Sequence, residues 1–315
     1  MAHNEATLSN EETWPELPTR EHEDTLILLH MWLQVVGKVR LALASPLNHW
    51  WHASLHVSAR GLSTGLIPLA PGALQLDFDF FDHNLLISVP GGRQRHITLH
   101  GRSVAGLYRE LMRILRALGI EVEIQPQAIG VANPQPFAND TRSGYDGAFT
   151  QRLWRVLVEV HRVLESFRSP YVGKASPVQF FWGRFDLATS RFTGRMAPPG
   201  AVMPNVPETV VREAFSHEQF GIGFSPYANP LAQPVFYAYC YPEPDAFARR
   251  AITPHSANYN DAMKAFVLPY ESVRTSGAPE RTLQGFFSDT YRAAAEAGGW
   301  NPALLLRPDE SAADQ

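Results

Sequence analysis

Shifting the chain by 131 residues lays Ser45, Pro46, Asn48, Trp51 and Arg60 on Ser176, Pro177, Gln179, Trp182 and Arg191, with His30 on His161 upstream and no gap required. Each copy reads as a long amphipathic helix followed by an SP-x-[NQ]-x-x-W turn into a strand, which is the pattern of an internal duplication. A chain repeated in this way is expected to fold as two related halves, with a functional site at the seam. The expected class is α+β, each pseudo-repeated half running helix, antiparallel strands, helix. The expected boundaries are a flexible tail over 1–20, a first half over 21–127, a linker over 128–145, a second half over 146–300 and a tail over 301–315.

Local pattern supports this outline. Helical spacing of apolar residues runs from Thr25 to about Ala44 and stops at Ser45-Pro46. Alternation from His52 to Arg60 predicts a strand with Ala53, Leu55, Val57 and Ala59 on one face and His52 and His56 on the other. ALQLDFDFF, NLLISV and RHITLH predict an antiparallel meander, and Ser103 caps a helix that ends at Gly119. IEVEIQP at 120–126 predicts one more strand. In the second half, helical periodicity over 147–168 precedes a hairpin in SPVQFFWGRFDLATSRF, and PETVVREAFSHE predicts a short helix with Pro207 in its first turn. Strands are predicted over 219–225, 234–241 and 264–270, then a helix from about Glu280 to Ala297.

Charge and composition bound the function. The net charge of -4 arises from 31 acidic and 27 basic residues scattered without long runs, so no basic face for nucleic acid or anionic lipid is visible. The single cysteine, Cys240, cannot form an intrachain disulfide, and a reducing cytoplasm suits it. The most apolar stretch, at 26–44, is interrupted by His30, Gln34, Lys38 and Arg40, so it predicts a packed helix and not a membrane span. No nucleotide fingerprint or phosphate loop is present. Trp14 is expected to pin the polar, acidic N-terminal tail to the surface.

The segments LHMWLQVVGKVRLAL, NHWWH, DFDFFDH, SPVQFFWGRFDLATSRFTGR, REAFSHE and FYAYCYPEP resemble, in order and over nearly the whole chain from Trp14 to Trp300, a bacterial family known as domain of unknown function 5996. That resemblance implies no activity.

Candidate chemistry therefore rests on side chains. His30 with Gln34, and His161 with Glu165, each share one helix face. His49 and His52 lie three apart at a predicted strand entry, with His56 beyond. With His217 as third ligand and Glu213 as ligand or general base, they would form a site for a divalent metal such as zinc, iron or manganese. The alternative is a hydrogen-bonded structural cluster. Asp77, Asp79, Asp82 and His83 are acid/base candidates or a strand's wet face. Lys174, Arg184, Asp186, Arg191 and Arg195 border the second repeat strand and suit an anionic group, or pair among themselves. Ser216-His217 lacks a nucleophile elbow, and Cys240 reads as packed.

Two functional readings follow. One is a metal-assisted enzyme acting on a small organic, anionic molecule in an aromatic pocket walled by Trp32, Trp50, Trp51, Phe180, Phe181, Trp182, Tyr237 and Tyr239. Its ligands are His49, His52 and His217, Glu213 is ligand or base, Lys38 and Arg191 orient the substrate, and His30, Gln34, Trp51, Trp182 and Arg195 contact it. The other is a ligand-binding or scaffolding protein in which those residues are structural. The first requires His49, His52 and His217 to converge; the second has them dispersed or bonded to backbone.

Overall fold

In this computed structural model, which describes residues 13–131, 133–199, 206–228, 231–301 and 306–307, helix α1 (Glu23–Leu43) is buried almost all round. From Leu28 to Val39 every residue except His30 is buried. A helix apolar on all faces belongs inside a protein, and α1 is long and apolar enough to cross a membrane only by length and composition, since two thirds of that stretch is buried here. Its polar residues must then find partners inside. Gln34 clamps the backbone of Ile129, donating from Nε2 to the carbonyl and accepting from the amide, both at 2.8 Å. Arg40 Nε donates to the His52 carbonyl at 2.8 Å.

The class is α+β, and two six-stranded antiparallel sheets correspond to the two halves. The first runs β1 (His56–Ser58), β2 (Gly61–Ser63), β4 (Ala73–Asp79), β5 (Asn84–Val89), β6 (Arg93–Thr98), with β3 (Ile67–Pro68) paired to β4. Helix α2 (Val104–Ala117) closes this half, its Ser103 side chain accepting from the Gly106 amide and Gly119 taking φ +78 just beyond its end. Helix α3 (Gly147–Arg168), capped by Asp146, opens the second half. Its sheet has the order β11 (Asn258–Asn260), β12 (Ala265–Pro269), β10 (Gln233–Tyr241), β9 (His217–Ala228), β8 (Asp186–Met196), β7 (Gln179–Phe181). Helices α4 (Glu208–Ala214), α5 (Tyr270–Arg274) and α6 (Pro279–Ala297) complete it.

The halves are stitched together. Leu55 and Phe180 exchange both backbone hydrogen bonds, at 2.9 and 2.8 Å, Gln179 Nε2 donates to the Trp51 carbonyl and Trp182 Nε1 to that of Ala53. One hydrophobic core runs through both halves, from Trp14 and Leu26 to Phe287 and Ala294. Trp14 is part of it, packed on Phe236 and Tyr270, so the chain is already anchored within the expected N-terminal tail. The rest of that tail, residues 1–12, and most of 301–315 lie outside the described residues.

Several expectations need correction. Residues 48–53 form a 3-10 turn rather than a strand entry, because His49 (φ 58) and Trp50 (φ 62) are left-handed and cannot continue an extended run. Residues 120–126 join no sheet among the described residues; Ile120, Val122 and Ile124 lie against the core and alternate with exposed Glu121, Glu123 and Gln125, so the period is real but no described strand pairs with it. Helix α4 stops at Ala214 and His217 begins β9, so Glu213 and His217 do not share a helix face. The SP-x-[NQ]-x-x-W copies also diverge, one becoming the 48–53 turn and the other strand β7. A few matched positions do not fix the same backbone.

Gly37 shows how closely the halves meet. A Cβ there would sit 2.4 Å from the Trp182 ring. Helix propensity favours other residues over glycine by up to about 1 kcal/mol, while overpacking a rigid indole costs about 1–3 kcal/mol. Gly37→Val is therefore expected to lower the urea unfolding midpoint, and a raised midpoint would show that the contact is loose.

Candidate functional site

The indole of Trp182, set against Gly37, also forms one wall of a cavity of about 470 Å³ between the halves. The 48–53 turn contributes His49, Trp50 and Trp51. The β7–β8 hairpin contributes Phe181, Trp182, Arg184 and Asp186, and α4 covers another side with Val210, Val211 and Ala214.

The floor is built by strand register. Tyr237 pairs with Gly223 and Tyr239 with Gly221, and a Cβ on either glycine would meet its tyrosine at 2.5 or 2.3 Å. Ala188 stands opposite Gly223, and Ser190 opposite Gly221, on the neighbouring strand. Small residues in β8 and β9 thus let both tyrosine rings lie across the sheet, 6.3 Å apart and nearly parallel. FGIGF facing FYAYCY is the sequence signal for this floor: glycines alternate on one strand where tyrosines alternate on its neighbour.

Three polar groups stand out in this largely apolar lining. The first is Lys38, only 5% exposed, whose Nζ lies 5.8 Å from the Trp182 ring centre and has no carboxylate or hydrogen-bond partner among the described residues. Burial draws its pKa below the usual lysine value. The second is Asp186, which accepts from the Tyr237 hydroxyl through Oδ2 at 2.6 Å while Oδ1 is buried without a hydrogen-bond partner. Exposed Arg184 approaches Oδ2 at 3.5 Å. Burial pushes the Asp186 carboxyl above the ordinary carboxylate range, against the pull of Arg184 and Tyr237. The third is the Trp50 indole N–H, buried with no acceptor. Each buried unsatisfied group costs about 1–3 kcal/mol, so a wall carrying them is not the most stable one available.

His49 sits beside this wall. Lys174 Nζ donates to its Nε2 at 2.7 Å, which leaves the proton on Nδ1, 3.3 Å from the Ala214 carbonyl of α4. Burial, then the Lys174 charge, holds His49 below the ordinary imidazole value.

The proposed metal ligands do not assemble. His217 lies edge-on to His49, with ring centres 5.6 Å apart, but His52 turns away and its Nδ1 accepts from the Leu47 amide at 3.0 Å. Glu213 is exposed on α4. Among the described residues no group of three or more histidine, cysteine, aspartate or glutamate side chains could hold a metal ion. The 3-10 turn is the physical reason, since it rotates His49 and His52 to different sides.

Other candidates disperse as well. Arg191 lies on the core face of β8, stacked on Phe167 at 3.6 Å and Tyr291 at 4.5 Å, with its guanidinium donating to the Phe167 carbonyl. Arg195 is exposed and paired with Glu218 at 2.6 Å. Asp77 accepts from Ser63, while Asp79 is held by Arg60 and by the amides of Phe81 and Asp82, so both are structural parts of the first sheet. His83 contacts the Tyr145 hydroxyl at 2.9 Å, and Glu165 pairs with Arg168. Cys240 is buried on the core side of β10. Trp51 and Trp182 do line the cavity, whereas His30 and Gln34 stand behind it and hold Ile129 and Gly183, which line it.

A family described as "Family of unknown function (DUF5996)" matches residues 14–307. No curated protein and no solved structure matches this chain.

His30 links this support to pH. Its Nε2 lies 3.3 Å from the Gly183 carbonyl and 3.1 Å from Gln34 Nε2, and burial lowers its pKa to about 4. The folded protein thus binds fewer protons here than the unfolded chain below pH about 6.5, and stability falls as the pH drops from there through 4. The ceiling on this loss is about 3 kcal/mol. His30→Asn should flatten thermal stability against pH between 4 and 6.5; an unchanged slope would assign the acid sensitivity elsewhere.

Proposed function

Because the chain belongs to the DUF5996 family, whose description carries no activity, we propose a function from the cavity itself: this protein binds a small, flat, largely apolar organic molecule bearing one anionic group, with Lys38 as the counter-ion. The observation that carries this reading is a buried lysine side chain whose ammonium has no acidic partner, on the wall of an aromatic cavity. Burial disfavours the charged ammonium, a counter-charge would offset that, and among the described residues none meets it. A volume of about 470 Å³ lies within the range of about 300–1,000 Å³ usual for small-molecule sites.

The surroundings favour an anion of aromatic character. Arg184 on the lining and Lys174, bonded to the lining residue His49, add positive charge. Trp51, Trp182 and the two floor tyrosines offer ring faces, against which flat apolar groups pack well. Binding without metal-assisted turnover is favoured because His49, His52, His217 and Glu213 do not converge.

Lys38→Met separates stability from binding. Without ligand the substitution removes an uncompensated buried charge and is expected to raise the melting temperature, by the equivalent of about 1–3 kcal/mol. In calorimetric titration with 3-phenylpropionate and indene-3-acetate it should weaken binding by about 10- to 100-fold, the worth of one charge-assisted contact. A variant that binds these acids as tightly as the native protein would remove Lys38 from the site, and a native protein that binds neither at millimolar concentration would end the reading.

A further inference from the structure

The cavity holds a second unsatisfied group, of opposite character to Lys38. Asp186 opens strand β8 and is 3% exposed, yet Oδ1 has no hydrogen-bond partner. Its orientation is not accidental. Register sets Tyr237 over Gly223, the absent Cβ lets the ring lie flat, and the hydroxyl reaches Oδ2 at 2.6 Å. With Oδ2 held by Tyr237 and Arg184, the carboxyl is fixed with one oxygen unused. Were Lys38 and Asp186 present only to neutralise each other, they would form an ion pair, and Asp186 pairs with Arg184 instead.

We propose that the ligand carries an N–H or O–H group that hydrogen-bonds to Asp186, which makes this residue the specificity determinant of the cavity. The ligand class is then a hydroxyaryl or N–H heteroaryl acid, not a plain aromatic acid. This inference rests on the anion-binding reading of Lys38 and adds the second point of attachment. A site built around a buried acceptor rejects an analogue lacking the matching donor more strongly than an apolar wall distinguishes one shape from another, because the acceptor then stays unpaired.

Matched acids differing only in the donor test it on the full chain by isothermal titration calorimetry. The pairs are indole-3-acetate with indene-3-acetate, and 3-(4-hydroxyphenyl)propionate with 3-phenylpropionate. In the native protein the donor-bearing member of at least one pair is expected to bind about tenfold tighter, the discrimination of one buried hydrogen bond. In Asp186→Ala that gap should close to within about twofold while the donor-free acid keeps its affinity. Asp186→Asn keeps the shape of the side chain should the alanine variant fail to fold. Its single oxygen is taken by Tyr237, so an amide donor replaces the unused acceptor, and the preference should vanish or invert. Equal binding of both members of both pairs by the native protein overturns the role of Asp186 and leaves the anion site of Lys38 standing, as does a preference that survives in the folded variants. Failure of all four acids to bind overturns the anion-binding reading and this inference with it.

Discussion

Burying α1 on every side is the constraint around which this molecule is arranged. A helix with one apolar stripe needs one partner surface; α1 needs cover all round, and elements from both halves provide it. That demand makes the polar residues on α1 decisive. Gln34 is satisfied by a two-bond clamp on Ile129, Arg40 by the His52 carbonyl, and His30 lies against Gly183 and is kept neutral by burial. Each contact also positions a segment at or beside the cavity. Among the described residues Lys38 is left with only a ring face, that of Trp182, so the central helix of the fold presents an uncompensated charge to the cavity, while the Trp32 indole N–H of the same helix is buried without an acceptor.

The cavity arises where the two sheets join. The Leu55–Phe180 bridge aligns the first half's 48–53 turn with the second half's β7–β8 hairpin, and close packing at Gly37 fixes the indole between them. Beyond this junction the outer face of β8 and β9 is lined by Ala188, Ser190, Gly221 and Gly223, which are too small to fill the space. Tyr237 and Tyr239 cross it. The opposite face of the same strands is filled by Leu187, Phe220, Ile222 and Phe224 and belongs to the main core. One pair of strands thus makes core on one side and a hollow on the other, by alternation of large and small residues.

Much of this architecture was legible in the sequence. Helical spacing located α1, α2, α3 and α6, caps at Ser103 and Gly119 bounded α2, and alternation found the meander β4–β6. Of the expected aromatic walls, Trp50, Trp51, Phe181, Trp182, Tyr237 and Tyr239 line the cavity together with Lys38, whereas Trp32 and Phe180 lie in the main core. The misses share a cause. Left-handed His49 and Trp50 turn a run that alternates correctly on paper, and no local pattern announces positive φ in residues that disfavour it. That turn separates His49 from His52 and dissolves the expected ligand set. Arg191 failed for another reason: parity along β8 places it with Leu187 on the core face, and the face was not assignable until the partner strands were known.

The polar groups of its lining residues distinguish this cavity from a packing defect. A void left by poor packing is lined by apolar atoms that have lost only dispersion contacts. This one has on its walls a lysine ammonium without an acidic partner and, on Asp186 and Trp50, a carboxyl oxygen and an indole N–H that are buried without a hydrogen-bond partner in the described structure. An apolar residue of similar volume at Lys38 would stabilise the fold. The residues that hold these groups in place are specific: Gly37 admits the indole over Lys38, and Gly223 admits the tyrosine that orients Asp186. Fixed positions for unsatisfied polar groups suit a binding site, because a ligand that completes their hydrogen bonds relieves the cost of leaving them unpaired.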